Sequence, residues 1–146
     1  MFNEDHARQT LEAAHAAWSR GDLDGILFAY TDDLVYWSNT GGSDGGPLKI
    51  VGKAAFGAFL RTVLEVAESV SVLEYFRYAD NVARARVECY IRHRQTGHVL
   101  TASYRKVVTY RDNKIARVDA FHDAAKMDTF WRLIAGETVA PSVACD

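Results

Sequence analysis

Two cysteines are all the chain contains, Cys89 in a strand-like run and Cys145 beside the last residue. That is too few for a disulfide framework or a cysteine-built metal site. No apolar run approaches the roughly 18 residues of a membrane span. An excess of positive charge is also missing: the formal net charge is −2, which argues against a nucleic-acid-binding face. The opening MFNEDHARQT is acidic and polar where a signal peptide is basic and then apolar, so a cytoplasmic location is expected. His6 and His15 do not stand at the four-residue spacing of a helical metal pair. The chain has no internal repeat. What it does have suits one folded domain: 146 residues, 49% hydrophobic and 12% aromatic. That domain is expected over 1–136, with 137–146 an aperiodic tail, frayed or laid over a partner.

Apolar residues at Ala7, Leu11, Ala14 and Trp18 have the spacing of one helical face, and Gly21 stands where a left-handed cap would end that helix. Asp22 can cap a short second helix carrying Leu23, Ile26, Leu27 and Tyr30. The β-branched and aromatic run 34–38 predicts a strand, and TGGSDGGP (40–47) predicts an exposed loop. A third helix is predicted over 53–67. Four strands follow at 69–78, 82–93, 98–110 and 114–122, separated by Asp80-Asn81, Thr96-Gly97 and Asp112-Asn113. Such short turns imply an antiparallel meander. Asp123 then caps a last helix. Helices followed by a meander make an α+β fold.

Alternation assigns the inner face. The core side takes Ala83, Ala85, Val87, Cys89 and Ile91 in one strand, and Leu100, Ala102, Tyr104, Val108 and Tyr110 in the next. It takes Ala116, Val118, Ala120 and His122 in the last strand, and Val70, Val72, Phe76 and Tyr78 in the first of the four. Two charges break the pattern on that side, Glu74 and Lys106. Counting outward from the turns places Glu74 opposite Val87 and Val87 opposite Lys106, about 10 Å apart across one row. A three-residue last turn then sets Lys106 opposite Val118, whereas a two-residue turn brings Asp119 onto that face. Buried charges must pair, reach water or meet a ligand. The plain reading is an internal ion pair. The functional reading is an acid/base or anion-orienting pair in a cavity, with His122 nearby as a proton carrier.

The run AAWSRGDLDGILFAYTDDLVYW, then VGKAAFGAFL, then YRDNKIARVDAFHD before a last helix, resembles the SnoaL-like branch of the NTF2-like superfamily. The resemblance covers about 4–135. It implies a cone: a strongly curved, mostly antiparallel sheet around an apolar pocket closed by helices, with dimers packed through the outer sheet face. It also implies that ketosteroid isomerase machinery is missing. That enzyme's general base falls at Ser38, its phenol donor at Ala14 and its protonated carboxyl at Lys106. Tyr30 matches a tyrosine supporting the donor network, and His122 a cavity-lining aromatic. The aspartate of cyclase-type relatives has two candidates here, Asp119 and Asp123.

Two functional expectations follow. The first is a cofactor-free enzyme of isomerase, cyclase, dehydratase or hydrolase type, acting on an apolar ring-containing metabolite. Lys106 would stabilise enolate charge while His122 or Glu74 moves the proton. Trp18, Tyr30, Tyr36, Ser38, Phe59, Cys89, Tyr104 and Ala120 would hold the ligand. The second is a non-catalytic ligand-binding or dimerising module. Neither calls for a metal, a cofactor, a nucleic acid or a membrane. Val99, Val107 and Phe121, on the opposite side of the sheet, predict a homodimer in both cases.

Overall fold

A computed structural model describes residues 1–136, with Ile134 by its backbone alone; the tail 137–146 lies outside the described residues. The chain runs α1 (Glu4–Ser19), α2 (Leu23–Phe28), β1 (Tyr30–Ser38), β2 (Leu48–Val51), α3 (Lys53–Val66), β3 (Ala67–Ala79), β4 (Val82–His93), β5 (Val99–Arg111), β6 (Lys114–Phe121) and α4 (Ala124–Ile134). The helices begin where the sequence supplies caps. The Asn3 side chain accepts from the His6 N–H, Asp22 from that of Gly25, and Asp123 from that of Lys126. Gly21 follows α1 at φ 71°, the left-handed turn that glycine adopts without strain. Tyr30, expected on the second helix, instead opens β1. The helix stops at Phe28, and Tyr30 pairs in parallel with Ile115. The four-residue β2 was not anticipated, because so short a run behind a glycine loop carries no clear alternation.

The six strands form an open sheet in the order β2-β1-β6-β5-β4-β3. The meander of β3 to β6 is as expected, and β1 adds to β6 in parallel. The inner faces of β4 and β5 are those read from alternation. The registers differ in three places. Asp80-Asn81 is a two-residue turn with both residues at positive φ, but Glu74 is a bulge: Leu73 pairs with Val87 and Tyr75 with Arg86. The extra residue flips the face of everything before it. Ser69 is buried, while Val70 and Val72, expected inside, are 49% and 55% exposed. The connection from β4 to β5 is longer than two residues, since His93 bonds across to His98, so Val87 faces Tyr104 and Lys106 faces Ala85. Asp112-Asn113 is a two-residue turn, yet Ala116 is extra in β6. Ile115 therefore turns inward, and Lys106 lies opposite Ala120 rather than Val118 or Asp119.

The helices cover the inner face and build two apolar clusters. One joins α1, α2 and α3 to the sheet through Leu11, Ile26, Leu34, Phe56, Val108 and Val118. The other gathers Val63, Ile91, Leu100, Met127 and Phe130 toward α4. Trp18 packs against both. Among the described residues no helix is long and apolar enough to cross a membrane.

Candidate active site

Lys106 lies in a row with Ala85 on one side and Ala120 on the other. Alanines leave space beside the lysine stem, and a cavity of about 130 Å³ opens there, between the two apolar clusters. Its wall includes eight of the residues expected from the sequence: Trp18, Tyr30, Tyr36, Phe59, Cys89, Tyr104, Lys106 and His122. Ser38 is buried beside the Tyr36 phenol and Ala120 beneath Lys106, but neither lines the cavity.

Glu74 is a correction. As the bulged residue of β3 it sits on the outer surface, 3.5 Å from Arg86, so the row it was to share with Lys106 does not exist. Its carboxyl is pushed up, first by a hydrogen bond with Glu88, which places it in an exposed charge cluster. Asp119 is turned away from the cavity as well, paired with Arg117 at 2.9 Å, and Asp123 is spent on capping α4.

The sequence reading missed His15. It stands four residues after Leu11 and three before Trp18, on the buried stripe of α1, and that spacing was the available signal. Both its ring nitrogens are buried without a hydrogen-bond partner among the described residues. The same holds for Nδ1 of His122 and for the Trp131 indole N–H, on the same wall. Such groups are uncommon and need a reason.

Lys106 is 6% exposed, and its ammonium lies 5.9 Å from the centre of the Tyr104 ring. Among the described residues no carboxylate lines the cavity. Burial alone lowers the lysine to about 8. Burial, and then the Lys106 charge, lowers His122 to about 4 and holds His15 well below its ordinary value. Burial pushes Cys89 up to about 11 and Tyr36 up to about 12, and raises Tyr30 and Tyr104 too. Near neutral pH the wall thus presents one ammonium, two neutral imidazoles and three phenols.

His122 is held by its backbone. The Asn39 side chain donates to the His122 carbonyl at 3.0 Å and accepts from its N–H at 2.7 Å. The imidazole lies 4.3 Å from the Tyr104 ring, centre to centre. The glycine loop 40–47 rests against α4. At Gly41, whose φ is 103°, a Cβ would stand 3.0 Å from the Trp131 indole nitrogen, so only glycine fits without displacement.

The family model of the SnoaL-like domain matches residues 11–118, most of the chain. The chain belongs to this SnoaL-like family, within the NTF2-like fold. No curated protein matches it. Solved structures show the same fold at low identity. A proposed isomerase from Bacillus subtilis is 21% identical, with a TM-score of 0.77 over 94% of this chain and 98% of the other. An epoxide hydrolase of LEH-like type from Mycobacterium tuberculosis is 17% identical, with a TM-score of 0.71 over 92% and 98%. TerC, co-crystallised with polyporic acid, is 21% identical, with a TM-score of 0.72 over 89% and 98%. In this SnoaL-like chain, Ala14 and Lys106 line the cavity and Ser38 lies just behind it. These are the three positions that the sequence resemblance set against the ketosteroid isomerase groups.

Proposed function

We propose that the chain is a cofactor-free enzyme of isomerase, cyclase, dehydratase or hydrolase type, acting on an apolar ring-containing metabolite. The observation that carries the reading is a buried ammonium, Lys106, facing an aromatic cavity with no carboxylate in its wall among the described residues. An oxygen that gains negative charge during reaction would be stabilised there more strongly than in water. His122, neutral and anchored by Asn39, is the proton carrier beside it.

The test is exchange of the ring protons next to the carbonyl of cyclohexenone in heavy water, followed by proton NMR. The protein is expected to accelerate exchange, and Lys106→Met to remove about 100-fold of that acceleration. The rate should fall below about pH 4, as His122 takes a proton, and above about 8, as Lys106 loses one. Unaccelerated exchange sinks the reading. A ligand-holding module without catalysis is the second reading, favoured by the weak basicity of His122. It predicts saturable uptake without exchange.

The outer sheet face supports a homodimer under both readings. Val70, Val72, Tyr75, Tyr90 and Phe121 are exposed there, with Trp37 5.4 Å from Phe121 between ring centres. Val99 and Val107 are half-buried on the same side. Arg86 and Arg105 stand between Tyr75 and Phe121, so the face offers both apolar and charged contacts to a second copy. Sedimentation of the wild type should give a dimer at micromolar concentration, and Phe121→Arg should shift it toward monomer. A monomeric wild type refutes this.

A further inference from the structure

The position of Lys106 leaves a question that a structural role does not answer. A desolvated ammonium costs several kcal/mol unless an anion faces it. Among the described residues there is none: across the row stand Ala85 and Ala120, and no described aspartate or glutamate lines the cavity. The titratable groups around it are His15 from α1, Tyr30 and Tyr36 from β1, Cys89 from β4, Tyr104 on its own strand and His122 beyond β6. All are neutral near pH 7. Four buried hydrogen-bonding atoms on the same wall also lack a partner among the described residues: both ring nitrogens of His15, Nδ1 of His122 and the Trp131 indole nitrogen. Each neutral imidazole offers one N–H, and the indole another.

We propose that the cavity is a receptor for a one-ring organic acid, its anionic oxygen seated on Lys106 within reach of His15 and His122 and its ring held by Trp18, Tyr36 and Phe59. This names the ligand class of the site proposed above and rests on that site, not on turnover. The size limit comes from the volume. About 130 Å³ is close to the ~150 Å³ that accommodates a benzene in an apolar cavity. A fused multi-ring ligand exceeds that volume and would have to extend out of the cavity. The charge limit comes from the wall: a cation would meet Lys106 with nothing to offset the repulsion, and a neutral ring would leave the ammonium unpaired. A carboxylate and an ionised ring enol share the required chemistry.

The experiment compares benzoate with benzamide, and dihydroresorcinol, an acidic cyclic enol, with cyclohexanone, by titration calorimetry on the whole chain at about pH 7. At least one anion is expected to bind about tenfold or more tighter than its neutral partner, a difference of about 1.4 kcal/mol. Whichever anion shows the preference identifies the acid as carboxylate or enol. In Lys106→Met the preference should fall to near parity while the neutral partner binds as before. NMR of the Lys106 amine gives a readout that needs no variant. Its titration should move upward from about 8 when the anion binds. Anion affinity should fall as pH rises past that value, because the lysine then loses the charge that holds the ligand. Equal affinity for acid and neutral partner, a preference that survives in Lys106→Met, or no binding of either anion up to about 10 mM would each overturn the inference. Anion preference without proton exchange leaves this inference standing and removes the catalytic reading. Exchange without anion preference does the reverse.

Discussion

Lys106→Met is expected to yield a more stable protein than the wild type. The lysine falls from 10.5 to about 8 on burial, so the folded state holds its ammonium less favourably than the unfolded chain does. Converted at the usual 1.36 kcal/mol per unit, a shift of that size corresponds to about 2–4 kcal/mol of destabilisation. It is present in full below about pH 8, where both states carry the proton. Between about 8 and 10.5 the folded protein has released the proton while the unfolded chain still holds it, so wild-type stability rises with pH across that window. Methionine has a similar length and no charge, and it meets an apolar wall. Thermal unfolding at neutral pH should show a midpoint roughly 5–15 °C higher in the variant. That gap should close as the pH climbs toward 10.5. A variant less stable than the wild type would mean that the ammonium has a protein partner and is a structural ion.

The second large effect is expected from removing one exposed residue. Deleting Glu74 takes the bulge out of β3 while the Asp80-Asn81 turn still fixes the far end of the strand. The segment 67–73 must then shift by one position. Val70, Val72 and Glu68 would face the helices, and Ala67, Ser69 and Leu73 would face solvent. A glutamate driven into the core beside α1 would leave its present partners Arg92 and Arg94 and lose its water. The midpoint should fall by more than about 10 °C, or cooperative unfolding should be lost, in a melt followed by circular dichroism. Glu74→Ala keeps the extra residue and should melt close to the wild type. If deletion is as harmless as Glu74→Ala, the bulge is not what sets the face of β3.

That contrast explains why the sequence was readable in some places and not in others. Facing within β4 and β5 follows from a period of two, and Lys106 was placed inside by that pattern alone. Which residues stand side by side depends on how many residues each turn and bulge absorbs. Glu74 and Ala116 leave no mark on composition, and the loop after His93 hid its extra residues behind a Thr96-Gly97 pair that resembles a tight turn. The Glu74–Lys106 pair was an error of this kind: the lysine lies inside as read, and its partner does not. His15 was lost for a different reason. One polar residue on an apolar helix stripe reads as the edge of the stripe until the helix is packed against a sheet. The aromatic wall was legible because large rings at helix and strand positions have few other places to go.

Burial spreads the titrations of the cavity wall far apart. Cys89 stands at about 11 and Tyr36 at about 12, with Tyr30 and Tyr104 raised beside them, while both imidazoles have already given up their protons at neutrality. From neutral pH up to about 11, the described wall therefore holds a single proton in play, the one on Lys106. As an acid–base device it is monobasic. Uptake of a charged guest across that range should be linked to at most one proton, which can be counted from binding enthalpies measured in buffers of different ionisation heat.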